Sequence, residues 1–457
     1  MDAFSKAVAE IDSFIWGAPL IILLVGIHLF MTFRLGFIQR YIPLGIKLSL
    51  RKDEDSNGEI SQFGALAIAL AATIGTGNII GVATAIVSGG PGAVFWCWLC
   101  GVFGIATKYA ESLLSVKFRI QGADGRTHGG PMYAIERGMG LKWLAVIFAV
   151  FTVIASFGIG NLTQSNAVAT FSNKVFGLPT WLTGSLVMIL IALVVLGGIQ
   201  AISKICSALI PFMAVFYVVG CVVVLVLCCG TIVPAIKLIV TEAFSTRAVT
   251  GGFFGTVIML AMRYGIARGL FSNESGLGSA PIVAANAKTR NPVRQALISS
   301  TGTFWDTVCI CALTGITQVA AVLKLDPNAD FASFEAEELA EIAFSNIPKI
   351  GLVVLAIALI IFATTTILGW FCYGEQAIHY LGGQKAMLPY RLIFVVMIFF
   401  GAIAKLELVW NLSDLANGLM AIPNIICLFA LSGIVAAETK RYLKHGSIED
   451  YADDLNS

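Results

Sequence analysis

The feature that most constrains this chain is a succession of apolar stretches, each about long enough to cross a lipid bilayer. A membrane-spanning helix needs about 20 mostly apolar residues. In lipid every backbone polar group must be satisfied within the segment, which selects helix. Eleven such stretches are read at roughly 13–36, 62–87, 92–118, 142–171, 181–199, 204–229, 250–285, 294–322, 350–380, 389–404 and 408–437. Composition agrees: 58% of the 457 residues are hydrophobic and 12% are charged, with a mean hydropathy of +0.87. A soluble domain carries about 25% charged residues, so half that density cannot keep a surface wet. The first apolar run is too long and too acidic at its flanks for a cleavable signal peptide.

Lysine and arginine orient the spans, because cytoplasmic loops are enriched in them. Of the 29 basic residues, 19 fall on one set of loops and 7 on the other, while Lys108, Arg263 and Arg268 lie within spans. The richer set includes Arg34–Lys52, Lys117–Lys142, Lys288–Arg294 and the tail from Lys440. This predicts a multi-pass protein of the cell membrane with its N-terminus outside and its C-terminus cytoplasmic. The acidic stretch 326–341 then lies outside and is expected to form a helix.

Several function classes are excluded. The net charge is only +2 and no basic run is present, so nucleic acid is not an expected partner; the lipid bilayer is. The ten cysteines all lie in apolar stretches. Cys97 and Cys100 form a C-x-x-C without the second pair that a zinc or redox site needs, so they are read as packing. The four histidines are scattered, and no catalytic constellation marks an enzyme. A sensor would need a soluble output domain, and the hydrophilic segments near 37–61 and 323–349 are too short. A channel would need a charged ring or a filter.

Transporters often contain two inverted repeats, each with an interrupted helix that forms the binding site. The second stretch contains Ala71-Ala-Thr-Ile-Gly-Thr-Gly-Asn-Ile-Ile-Gly81, and the seventh contains Gly269-Leu-Phe-Ser-Asn-Glu-Ser-Gly-Leu-Gly278. Aligning Asn78 with Asn273 places Gly81 on Gly276. Each motif is followed by four more stretches, and five is odd, so the second repeat is inverted. The chain thus divides into residues 1–60 (an extra helix and loop), 61–230 (first repeat), 231–437 (second repeat) and 438–457 (tail). Gly77 and Gly81 also fit the spacing of close helix packing, but unwound backbone at that depth must line a cavity or be buried in protein.

An unwound turn frees N–H groups at one half-helix, which suit a carboxylate, and C=O groups at the other, which suit an ammonium group or sodium. A zwitterionic amino acid is a natural ligand for two such turns. Thr364, Thr365 and Thr366 offer three consecutive hydroxyls for a hard cation, or bond back to their own helix. Asn161, Gln164 and Ser165 share one helix face. Gln164 is expected to contact substrate, the alternative being interhelical bonding. Trp370 either caps the pocket or packs in the core. Lys108 and Glu111 read as an ordinary i, i+3 pair. A break between Arg268 and Glu274 would bring those two together; the breakpoint of the seventh stretch as a whole is read at Gly265, Gly269 or Gly276.

The stretches Ile74-Gly-Thr-Gly-Asn-Ile79, Gly130-Pro-Met-Tyr133, Gly160-Asn161-x-x-Gln164-x-Asn166 and Ser272-Asn-Glu-x-Gly276-x-Gly-Ser-Ala-Pro281 resemble the alanine or glycine:cation symporter family across nearly the whole chain. That resemblance implies an all-α, leucine-transporter-like fold: a five-plus-five inverted repeat with one extra N-terminal helix. It implies sodium-coupled symport of alanine or glycine into the cell, with sodium as coupling ion and no other cofactor. The alternatives are proton-coupled or exchange transport, or a non-transporting sensor. Carried onto this chain, sodium would meet the Ala71 and Ile74 carbonyls with the hydroxyls of Thr364 and Thr365. The substrate carboxylate would meet Thr76, Gly77 and Asn78. The ammonium group would meet carbonyls near Phe271 and Ser272, in the break that also holds Asn273 and Gly276.

Overall fold

A computed structural model describes residues 14–51, 58–122, 125–244, 256–404 and 407–444 and, ahead of them, residues 8 and 10–12. Lys6, Lys52, Arg247 and Lys405, used above for orientation, lie outside the described residues. The helices in chain order are α1 (Ala18–Arg34), α2 (Ile42–Ser49), α3 (Gln62–Thr73), α4 (Ile80–Gly89) and α5 (Ala93–Lys117). A small antiparallel hairpin follows, β1 (Ile120–Gln121) with β2 (Thr127–His128). Then come α6 (Pro131–Met139), α7 (Lys142–Phe157), α8 (Thr163–Phe176), α9 (Thr180–Leu196), α10 (Gly198–Leu227) and α11 (Cys229–Ala243). The remainder is α12 (Thr256–Asn273), α13 (Pro281–Ala284), α14 (Pro292–Thr303), α15 (Ala312–Leu325), α16 (Ala336–Ser345), α17 (Gly351–Gly382), α18 (Gln384–Ile403) and α19 (Glu407–Lys444).

Each of the eleven apolar stretches carries helix. By length and composition 7 of the described helices can cross a membrane, or up to 9 with two bent pairs. The first pair is Ala18–Arg34 with Ile38–Ser49, bent by 68°; the second is Gln62–Thr73 with Thr76–Gly89, bent by 61°. π-helical turns interrupt two long spans, at Gly158–Leu162 between α7 and α8 and at Phe304–Cys311 between α14 and α15. Such turns shift which residues face a neighbour and often accompany function. Helix α11 was not anticipated, because Gly230, Thr231, Pro234 and Lys237 interrupt the apolar run beyond Cys229. Of the acidic stretch 326–341, only the part from Ala336 onward forms the expected helix, α16. Glu337 and Glu338 in its first turn complement the positive end of the helix dipole.

Two helix groups meet around the interruptions. α12 packs on α4 and α5, and α17 packs on α3, α7 and α8. Small residues permit this closeness. A Cβ on Gly269 would lie 3.1 Å from the Cys97 carbonyl oxygen, and one on Gly369 would lie 2.6 Å from the Ala72 Cβ. Cys97 and Cys100 are buried free thiols.

Candidate functional site: two crossed helix breaks

The first break follows from its composition. Gly75, Thr76, Gly77 and Asn78 are poor helix formers, and α3 ends just before them at Thr73. Asn78 closes the turn that follows: its Oδ1 accepts the Gly75 N–H at 2.8 Å. Its side chain is fully buried, with Oδ1 holding this backbone turn and Nδ2 directed to Asp306. Among the described residues the Thr76 and Gly77 N–H groups donate to no backbone carbonyl. Both residues line a cavity of about 320 Å³ together with Thr163, Phe271, Arg268 and Asp414. The cavity lining thus includes backbone without backbone hydrogen-bond partners at Thr76 and Gly77, and both charge signs at Arg268 and Asp414.

The second break lies after Asn273. Helix α12 runs uninterrupted through Gly265 and Gly269, so of the three expected breakpoints only Gly276 falls in irregular chain. Glu274 (φ 55°), Gly276 (φ 93°) and Gly278 (φ 84°) alternate in the left-handed region, which side chains disfavour. Asn273 Oδ1 accepts the Ser275 N–H at 2.9 Å and braces the turn.

The two expected ion pairs are corrected by this geometry. Lys108 does not pair with Glu111. Its ammonium donates to the Glu274 carbonyl oxygen at 3.0 Å, while Glu111 Oε1 accepts the Gly276 N–H at 2.9 Å. Helix α5 thus holds both the carbonyl and the amide of the unwound turn. Arg268 does not pair with Glu274 either. Glu274 accepts from the Ser279 hydroxyl at 2.5 Å, and the Arg268 guanidinium sits 5.8 Å from the centre of the Phe271 ring. The break turns Glu274 toward α5, whereas Arg268 faces the cavity.

The breaks cross each other. A Cβ on Gly77 would lie 3.5 Å from the Phe271 ring and 4.0 Å from the Ser272 Cα. One carboxylate joins the two. Asp306 Oδ1 accepts from Asn78 Nδ2 at 2.6 Å, and Oδ2 accepts from the Ser272 hydroxyl at 2.9 Å and the Thr307 hydroxyl at 2.7 Å. Sequence reading passed over Asp306. The signal was present, since an ionisable residue inside an apolar span marks function by default. It went unread because its partners come from two distant segments.

The hydroxyl run on α17 is resolved by helical phase. Thr364 bonds back to the Ile360 carbonyl at 2.7 Å. Thr366 donates to the Ala71 carbonyl at 3.1 Å and the Phe362 carbonyl at 2.9 Å, and Thr365 also reaches Phe362 O at 2.9 Å. Of the three hydroxyls, Thr366 alone reaches the Ala71 carbonyl, while Thr364 and Thr365 bond to carbonyls of their own helix. Positions two apart point to nearly opposite sides of a helix with about 3.6 residues per turn, so Thr364 and Thr366 cannot both face α3. Ile74 ends α3 beside this oxygen cluster, its N–H bonded to Leu70 O at 2.7 Å.

Gln164 is brought to the first break: its Oε1 accepts from the Thr76 hydroxyl at 3.3 Å, and its Nε2 donates to the Ile159 carbonyl. Its neighbours serve packing. Asn161 Nδ2 donates to Phe394 O at 2.6 Å, and Ser165 bonds back to Leu162. Trp370 is buried against Tyr373 at 5.4 Å between ring centres and lies directly over Gly160, where a Cβ would collide with it. It does not line the 320 Å³ cavity.

The opposite end of the second break is latched shut. Ile60 forms a parallel bridge with Ala287, and Glu59 Oε1 accepts the Thr127 N–H at 3.0 Å. The Arg119 guanidinium donates to the carbonyls of Ala285, Ala287 and Thr289 at 3.1, 2.8 and 2.7 Å. Burial moves its pKa down from the ordinary value, and three carbonyl dipoles offset that desolvation. Among the described residues no cluster of His, Cys, Asp and Glu is placed to hold a metal ion.

These features define a multi-pass membrane protein with two broken helices crossed at a small cavity, the architecture of a secondary transporter. The family model described as the sodium:alanine symporter family matches residues 1–453, and the chain belongs to that family. The chain is 48% identical to the sodium/alanine symporter AgcS of Methanococcus maripaludis, over 96% of this chain and 97% of the relative. It is 47% identical to an uncharacterized transporter of Haemophilus influenzae, over 98% of each. A solved structure of MhsT in complex with L-phenylalanine shares the fold, with a TM-score of 0.61 at 16% identity, covering 84% of this chain and 93% of that one. The fold is thus leucine-transporter-like.

Proposed function

We propose that this protein carries small neutral amino acids, alanine and glycine, into the cell by sodium symport. The observation that carries this reading is the pairing of two unlike sites on one break. Thr76 and Gly77, whose N–H groups donate to no backbone carbonyl among the described residues, line the cavity. The Ala71 carbonyl, a few residues earlier, meets the hydroxyl of Thr366. The first suits a carboxylate; the second, with Phe362 O and Thr365, suits a hard monovalent cation that binds through oxygen. Carbonyls near Phe271 and Ser272 take the substrate ammonium, and Gln164 positions Thr76.

Transport follows by alternating access. Two inverted five-helix repeats rock about the crossed breaks, the first helix standing outside them, with the N-terminus outside and the C-terminus cytoplasmic. Sodium must favour the substrate-binding arrangement as strongly as substrate favours sodium. One charge moving through 100 mV supplies about 2.3 kcal/mol, and a tenfold sodium gradient adds about 1.4. Together they sustain an accumulation of roughly a few hundredfold per sodium.

Labelled alanine uptake into proteoliposomes, with and without an inward sodium gradient, tests this reading. Sodium-dependent accumulation is the expected result. Uptake indifferent to sodium would move the coupling to protons or exchange, and binding without any uptake would make the protein a sensor.

A further inference from the structure

The buried charge around the second break does not balance. Lys108, Glu111, Glu274 and Asp306 are all buried, so one ammonium group faces three carboxylates. Among the described residues Lys108 forms no ion pair with any of them; its bond goes to the Glu274 backbone. A buried charge without a partner costs several kcal/mol, so a group of this kind needs further positive charge when all its members are ionised.

The three carboxylates are not equivalent. Asp306 receives donors on both oxygens. Glu274 holds Ser279 at 2.5 Å. Glu111 receives the Gly276 N–H at 2.9 Å and the Asn424 amide at 2.6 Å, both on Oε1. Its Oε2 is buried and makes no hydrogen bond of ordinary geometry, although the Gly278 N–H also faces this carboxylate; His28 Nε2 and Asn273 Nδ2, beside the same break, are likewise buried without partners. The titratable groups facing Glu111 are Lys108 on its own helix, Glu274 in the break, and Cys427 on α19. Lys108 in turn faces His28 on α1 and Asp306 between α14 and α15. None of these groups donates to Oε2.

We propose that Glu111 is a proton-binding site of the transport cycle, its Oε2 taking a proton from solution and releasing it as the second broken helix moves. This rests on the transport reading above and extends it. The step is a simple protonation: carboxylate plus a solvent proton gives the carboxylic acid, and the reverse returns it. Location supplies the coupling. Ionised Glu111 ties Gly276 to α5 and, through Asn424, to α19, which also bonds the Gly276 carbonyl at 2.9 Å. Charge-assisted hydrogen bonds are roughly twice as strong as neutral ones, so a proton on Glu111 loosens both ties at once. The site is thereby loaded when the break is free and unloaded when it is held.

The test is infrared spectroscopy of the purified protein in lipid while the pH is lowered. The expected result is a protonated-carboxyl C=O band in the wild type that is lost in Glu111→Gln. Should E111Q fail to fold, Glu111→Asp must shift that band. A wild-type band absent, or unchanged in both variants, would overturn the proposal. Alongside, a pH dye trapped in proteoliposomes should report proton movement on addition of alanine and sodium, and this signal should be lost in E111Q. Sodium-driven uptake without the Glu111 band would leave symport standing and remove the proton site. The band without any alanine uptake would do the reverse.

Discussion

Thr366 decides most at the scale of single residues, because it is the hydroxyl that reaches across to α3. Thr366→Val should raise the sodium concentration for half-maximal uptake about tenfold, the equivalent of about 1.4 kcal/mol. Thr364→Val should leave it unchanged, since that hydroxyl bonds only within its own helix. A sodium titration of uptake by the two variants distinguishes them. Gln164→Ala removes the acceptor for Thr76. One lost hydrogen bond of about 1 kcal/mol should weaken alanine binding about fivefold, and unchanged affinity in a direct binding assay would reduce Gln164 to packing. The hydroxyl run was legible in sequence, but the choice among its members was not. Adjacent threonines look alike until the rotation of α17 against α3 is fixed, and that rotation depends on contacts such as Gly369 on Ala72.

Among elements, the breaks were legible and their supports were not. Glycine, threonine and asparagine clustered within apolar stretches identify unwound backbone by propensity alone. Beyond the local bonds of Asn78 and Asn273, what braces the second turn comes from far along the chain: Glu111 reaches Gly276 from α5, and Asn424 reaches it from α19. No local pattern announces such pairs. Gly276 itself is doubly constrained, by its φ of 93° and by Leu24 of α1 packed where a Cβ would go. Gly276→Ala should therefore cost stability at the upper end of what overpacking and backbone strain produce, about 3 kcal/mol, visible as a lower unfolding temperature in detergent. Trp370→Ala belongs to the same class. A large buried side chain removed from over Gly160 leaves a void costing about 3–5 kcal/mol, and the size cutoff for competing amino acids should stay where it is. A competition panel that admitted larger amino acids would return Trp370 to the pocket wall.

For the whole molecule, each of the eleven stretches read from hydropathy carries helix, while α11 was missed because Gly230, Pro234 and Lys237 break up its apolar pattern. The structure is asymmetric between its two ends. The cavity reaches Thr76 and Gly77 from the side of Asp414 and Glu337, and the side of Arg119 and Glu59 is closed. Arg119→Ala should release the latch on Ala285, Ala287 and Thr289. Cysteines introduced near those carbonyls should then react faster with a membrane-impermeant maleimide added on the Arg119 side. An unaltered rate would mean that the Ile60–Ala287 bridge suffices alone.

Asp306 draws one donor from each broken helix, Asn78 from the first and Ser272 from the second. A carrier whose two gates can open independently short-circuits, letting its driving ion run down the gradient with nothing carried. On the transport reading proposed above, a single acceptor shared by both breaks would make their rearrangements one event, so that an ion that crosses would cross in company. Weakening that acceptor with Asp306→Asn should show as a sodium current persisting in the absence of alanine, and the tightness of the whole machine would be seen to reside in one carboxylate.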